Sequence, residues 1–202
     1  MSGGRSGDVA CVVLAGGGAS RLGGVDKPML EVGGRTLLSR AIDAGTAGTA
    51  GARAAAVDVV VVGPRRAGVD GVRWVRERPP GGGPVAALAA GLSTVDAPVV
   101  VVLAADLKGV RPETVARLLS ALGEPSAQPG PDDSERPDGA VLVDAEGRRQ
   151  WLLSVWRTAA ARGALPREPA GRSLRASLGG LRIVEVPAVG DEAADVDTPG
   201  DL

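Results

Sequence analysis

The sequence predicts an α/β domain, a three-layer Rossmann-like fold built on a mainly parallel central sheet. Three observations point there. Its strongest apolar runs, residues 9–15, 57–63 and 97–106, are continuous rather than alternating, as expected of strands buried on both faces. The stretches between them carry helix spacing. Strand and helix alternate in this way through residue 122, which implies right-handed βαβ units.

Each element has its own justification. Val9 to Ala15 reads as the first strand. Leu37, Leu38, Ala41 and Ile42 then recur on one helical face, with Thr36 as N-cap. The low-complexity stretch 46–56 reads as a fraying helix end and loop, 57–63 as the second strand and 71–77 as a short, half-exposed third. "PGGGPVAALAAGL" (80–92) opens from a loop into a small-residue helix, and 97–106 is the strongest strand. In 111–123, Pro112 suits the first helical turn and Gly123 the end. The stretch 124–138 holds four prolines among acidic and small polar residues, so a flexible loop is expected over 124–137. Two strands joined by a turn at Asp144 to Gly147 follow, then short helices at "TAAARGAL" and "SLRASLG", and a last strand at 181–186. Thr198 and Pro199 suit the entry of a helix. No long-period repeat is present, and the chain of 202 residues is expected to be one domain.

Composition removes several function classes. The 23 basic residues balance 24 acidic ones, so no basic field marks a nucleic-acid surface. No apolar run approaches a membrane span, no signal peptide is visible at the N-terminus, and Cys11 is alone, which together favour a cytoplasmic setting. There is no His, Tyr or Phe, so neither a Ser-His-Asp triad nor an imidazole zinc site is available. Chemistry is left to carboxylates, cations, backbone amides and an oxygen-held metal. Trp74, Trp151 and Trp156 are the only aromatic side chains.

"LAGGGASRLGGVDK" (14–27) directly follows the first strand. It is not a Walker A loop: counted from Gly18, Gly24 stands where Lys is required. It is not a dinucleotide fingerprint either, since Arg21 takes the sixth position from Gly16. What remains is bare backbone N–H at Gly16 and Gly17, a guanidinium fork at Arg21 and a point charge at Lys27, a set suited to a polyphosphate. Asp106, directly after "VVVVLAA", falls at the carboxyl end of a central strand, where open α/β sheets bind ligands.

The stretch 14–38 resembles the signature of nucleotidyltransferases that attach a nucleoside monophosphate to a phosphorylated acceptor, most closely the molybdenum cofactor guanylyltransferase branch. "GGGPVAALAAGL" resembles that family's second glycine-proline loop, "VVLAADL" its metal-bearing strand and "DVDTPGDL" its closing motif, so the likeness covers nearly the whole chain. The resemblance implies that Leu14, Ala15, Gly16 and Gly17 cradle the nucleotide by backbone and that Arg21 and Lys27 hold the triphosphate. Gly83 and Pro84 would face base and ribose. Asp106 would bind Mg²⁺, with Asp197, beside Asp195, as the second acidic contact. Where the branch places an Asn and an Asp against guanine, Gly63 and Arg78 stand here, so a measurable but incomplete preference for GTP is expected. The branch's Thr-Pro after the metal Asp is replaced by Leu107, Lys108 and Gly109, and its His-Pro near the acceptor by "RRQWLL". Arg148, Arg149 and Gln150 have two readings, acceptor-phosphate contacts or a solvated turn.

The implied reaction is attack by an acceptor phosphate oxygen on the α-phosphorus of an NTP, with pyrophosphate leaving. The attacking phosphate is already ionised, so a chain without His lacks nothing. The implied partners are GTP and the phosphate of molybdopterin. The alternatives are CTP or another NTP with a different phosphorylated acceptor, or a non-catalytic nucleotide-binding relative. The oligomeric state is not legible in the sequence.

Overall fold

The structure, a computed structural model, describes residues 8–16, 26–49, 57–123 and 136–195. The chain starts with β1 (Val9–Leu14) and, after a 3-10 turn at Lys27–Met29, makes a small hairpin of β2 (Glu31–Val32) and β3 (Arg35–Thr36). Then come α1 (Leu37–Thr49), β4 (Asp58–Val62), β5 (Arg73–Val75), α2 (Pro84–Leu92), β6 (Val99–Ala104) and α3 (Pro112–Leu122). The second half adds β7 (Gly139–Val143), β8 (Arg149–Arg157), α4 (Thr158–Ala164), α5 (Leu174–Leu178) and β9 (Ile183–Pro187).

Seven strands form one sheet in the order β5-β4-β1-β6-β8-β7-β9. β5, β4, β1 and β6 run parallel, as the alternation of apolar runs and helices requires. β8 is antiparallel to both β6 and β7, and β9 is parallel to β7. The sheet is therefore mixed beyond β6, where the long crossover helices give way to a hairpin. All six residues of β1 and of β6 are buried. Their side chains alternate between two layers. Cys11, Val13, Val101 and Leu103 pack with Leu38, Ala41, Val115 and Leu118 of α1 and α3. Ala10, Val12, Val100 and Val102 pack with Leu88, Ala161 and Leu174 of α2, α4 and α5. This two-sided burial is why the runs show no polar alternation. Burial also pushes the Cys11 thiol up to about 12, so it is an inert core residue.

Some boundaries differ from expectation. α1 runs to Thr49, within the stretch read as a helix end, and burial of Ala44, Gly45, Gly48 and Thr49 outweighs the poor helix propensity of glycine; residues 50–56 lie outside the described residues. Thr36 does cap it: Ser39 N–H donates to Thr36 Oγ1 at 3.1 Å. The β2–β3 hairpin was not anticipated; its turn is Gly33-Gly34, both at positive φ (62° and 76°) as a tight hairpin needs. Of the loop expected over 124–137, residues 124–135 lie outside the described residues. Pro137 is fastened instead, because its carbonyl accepts from Arg157 Nε at 3.0 Å. Asp138 beside it is forked by Arg182 at 2.8 and 3.0 Å, which holds its carboxyl below the usual range. The helix entry at Thr198 and Pro199 lies outside the described residues. No helix among the described residues is long and apolar enough to cross a membrane.

After β9 the chain turns back over α3, and one carboxylate fixes it there. Glu192, 2% exposed, accepts from Thr114 Oγ1 at 2.7 Å, from Arg117 at 2.7 and 2.8 Å, and from Val189 N–H at 2.8 Å. The Arg117 fork, aided by Thr114 and Val189, draws its pKa down to about 2. That pKa lies below the ordinary 4.5, so the stabilisation is present above pH 4.5 and is lost as pH falls toward 2. We expect the melting temperatures of the parent and Glu192→Gln to differ most above pH 4.5 and to converge toward pH 2. A difference independent of pH would refute this.

Candidate functional site

The carboxyl ends of β1, β4 and β6 meet at one place. Ala15 N–H donates to the Val62 carbonyl at 2.8 Å, and Ala105 N–H to the Leu14 carbonyl at 3.0 Å. Gly63, at φ +153°, lets the β4 end approach this close; a Cβ there would lie 2.8 Å from the Ala15 carbonyl oxygen. Packing thus explains glycine at a position that sequence comparison marked as a base contact.

A cleft of about 210 Å³ opens above these strand ends. Gly16 enters from β1, Asp106 from β6, Gly81, Gly83 and Pro84 from the loop that starts α2, and Leu152 from β8. Gly83 precedes α2 at φ 86°, and Pro84 fills the first helical position, where a missing N–H costs nothing. The structure therefore brings together five of the expected site residues: Leu14, Gly16, Gly83, Pro84 and Asp106. Ala15 is buried beneath the cleft rather than lining it. Lys27 opens the 3-10 turn packed beside α1 and does not line the cleft. Gly17, Arg21 and Asp197 lie outside the described residues.

The chain that leads into the closing motif reaches the residues just after Asp106. Lys108 N–H donates to the Ala194 carbonyl at 3.0 Å, and Leu107 bridges Asp195 in antiparallel fashion. This sets the backbone of Asp195 opposite Leu107, the residue after Asp106. Gly109 permits the contact, since a Cβ on it would run into the Asp191 carbonyl. We expect Gly109→Ala to push this segment off and cost about 1–3 kcal/mol, read as a lower melting temperature. An unchanged melting temperature would show the contact to be dispensable.

Sequence reasoning missed an acidic residue of the cleft. Glu77, 7% exposed, sits two residues after β5 and points into it. Its Oε1 accepts from Gly81 N–H at 3.0 Å, which braces the glycine loop. Its Oε2 is buried with no hydrogen-bond partner among the described residues. A buried carboxylate oxygen without a donor is costly in a native protein. Arg78, the position first aligned with the family's base-contacting acid, instead lines a separate groove with Arg172 and Glu168. The signal in the sequence is an acid two places before "PPGGGP", next to Arg78.

The three residues with two readings are paired with acids, Arg148 just before β8 and Arg149 and Gln150 at its start. Arg148 donates to Asp144 at 2.9 Å and to Glu146 at 3.1 Å, Gln150 to Asp144 at 2.8 Å, and Arg149 to Glu185 at 2.7 Å. Trp156 is core, its Nε1 bonded to Ser154 Oγ at 2.8 Å, and Trp151 stacks on it with centroids 6.5 Å apart.

Residues 11–183 match the family described as MobA-like NTP transferase domain, which is most of the chain and all of the cleft. The chain belongs to this family. A probable molybdenum cofactor guanylyltransferase of Natronomonas pharaonis is 34% identical over 140 residues, covering 64% of this chain and 65% of that protein. The chain thus spans just under two thirds of that relative's length. A molybdenum cofactor guanylyltransferase of Rhodopseudomonas palustris is 66% identical over 32 residues, 16% of this chain and 15% of that one. Among solved structures, molybdopterin-guanine dinucleotide biosynthesis protein A from Archaeoglobus fulgidus superposes at TM-score 0.62 and 18% identity, covering 95% and 94% of the two chains. The 2-C-methyl-D-erythritol 4-phosphate cytidylyltransferase of Thermus thermophilus superposes at 0.61 and 22%, covering 96% and 94%. The fold is thus shared with proteins named for different bases.

Proposed function

We propose that this MobA-like domain transfers GMP from GTP to the phosphate of molybdopterin, in the cytoplasm, releasing pyrophosphate. Glu77 carries the reading of the base. Guanine presents two adjacent donors on its Watson–Crick edge, N1–H and N2–H, and an ionised carboxylate offers only acceptors. Adenine and cytosine each set a ring-nitrogen acceptor beside their one amino donor, and that acceptor would face a carboxylate oxygen. The buried Oε2 of Glu77, without a donor of its own, supports guanine over both. The match to two relatives with guanylyltransferase names supports the acceptor.

In this reading Gly16 and Gly17 offer backbone N–H to the phosphates, Arg21 forks onto them and Lys27 meets them as a point charge. Asp106 fits an Mg²⁺ ion: it is a hard oxygen donor lining the cleft at a strand end, and Mg²⁺ takes only one or two protein carboxylates, completing its shell with phosphates and waters. Asp195 or Asp197 would supply the second carboxylate. When bound, the ion would neutralise charge on the phosphates. An acceptor phosphate oxygen forms the new bond to the α-phosphorus while the bond to the pyrophosphate oxygen breaks. The cations absorb the charge on the leaving group, and no proton has to move.

The test is pyrophosphate release from each of the four NTPs with Mg²⁺, with and without molybdopterin. The reading expects release that requires molybdopterin and is fastest with GTP. Release that is equal with CTP, or independent of molybdopterin, contradicts it.

A further inference from the structure

Residues on either side of the glycine-rich stretch meet the end of β4 and the loop after it. Ala15 N–H is bonded to Val62 at 2.8 Å, and the Ala15 carbonyl abuts Gly63. Asp26 is gripped by Arg66 from the same post-β4 loop. Arg66 Nε and Nη2 donate to Asp26 Oδ2 and Oδ1 at 2.7 and 2.6 Å, a two-pronged fork between residues 40 apart in sequence. The third donor group, Nη1, reaches the Pro64 carbonyl at 3.2 Å, so the guanidinium is itself fixed on its own loop. The Arg66 side chain is only 10% exposed, whereas that of Asp26 is 48% exposed.

A fork fixes direction as well as distance. What it fixes here is the residue before Lys27. Asp26 also accepts Met29 N–H through its carbonyl at 2.9 Å, and this bond closes the turn that Lys27 opens. Carboxylate, backbone and lysine thus form one short rigid unit anchored at Arg66. An ion pair with one half-exposed partner adds little to stability. Setting the place of a phosphate-binding ammonium is another matter, because an error of about 1 Å in a binding group is enough to lose orders of magnitude in reactivity.

We infer that Arg66 is a positioning residue for nucleotide binding: its fork on Asp26 sets where Lys27 meets the phosphates. This rests on the role given to Lys27 under the proposed function. The experiment is calorimetric titration with MgGTP at low salt of the parent, Lys27→Ala, Arg66→Ala, Arg66→Lys and the double variant Lys27→Ala/Arg66→Ala, with melting temperatures alongside. Arg66→Ala is expected to weaken binding about tenfold while its melting temperature falls by no more than about 3 °C. Arg66→Lys is expected to recover only part of the loss, since an ammonium cannot fork. In the decisive comparison, the double variant binds within about twofold of Lys27→Ala alone, because once Lys27 is gone its position no longer matters. Parent-like binding by Arg66→Ala overturns the inference, as does an Arg66 loss that persists in full on the Lys27→Ala background. If the parent does not bind MgGTP, or Lys27→Ala binds like the parent, it is the proposed function that fails and the inference falls with it.

Discussion

Asp106→Asn will fold as the parent does and lose about a hundredfold or more of its transfer rate. The residue stands just past β6, whose six residues are fully buried, so the strand is held by packing that the substitution does not touch. Asn keeps the size and removes the charge. Under the proposed function it leaves a weak neutral ligand where Mg²⁺ would need a carboxylate, and several kcal/mol of transition-state stabilisation go with it. The loss should appear in kcat more than in nucleotide affinity, because the cations and backbone amides still hold the phosphates. Near-parental turnover with Mg²⁺ and an unchanged melting temperature would remove Asp106 from the metal site.

Glu77→Gln is expected to cost about ten- to a hundredfold in MgGTP affinity while changing that for MgATP and MgCTP by no more than about threefold. The substitution puts an NH₂ donor where guanine presents donors, so an attractive contact becomes a repulsive one. The free protein gains at the same position. A buried carboxylate oxygen without a donor is replaced by a neutral group, and the melting temperature should stay level or rise. Lost affinity together with retained or raised stability is the signature of a group kept for a ligand. A fall in melting temperature with all three nucleotides weakened equally would make Glu77 a brace for the Gly81 loop and nothing more.

The parts of this molecule that are legible in the sequence are those with local causes. β1, β4 and β6 show as unbroken valine-rich runs because both their faces are covered, and Asp106 is recognisable because it ends one of them. The turn at Asp144 to Gly147 and the cap at Thr36 are likewise written in a few adjacent residues. What stayed hidden depends on which way a side chain points or on distant partners. Glu77 and Arg78 are neighbours, yet one faces the cleft and the other a separate groove, and spacing along the chain does not distinguish them. The Glu192 cluster joins residues 75 to 78 apart, and the Arg66 fork spans 40. The β2–β3 hairpin has two residues per strand, too few for any period to show.

GTP labelled at the α-phosphorus, incubated with the parent protein, Mg²⁺ and molybdopterin, follows the transferred group directly. The account predicts that the label moves into a product carrying both GMP and molybdopterin, with one pyrophosphate formed for each label transferred. Label that stays in GTP, or that leaves as free GMP with no adduct, would contradict it.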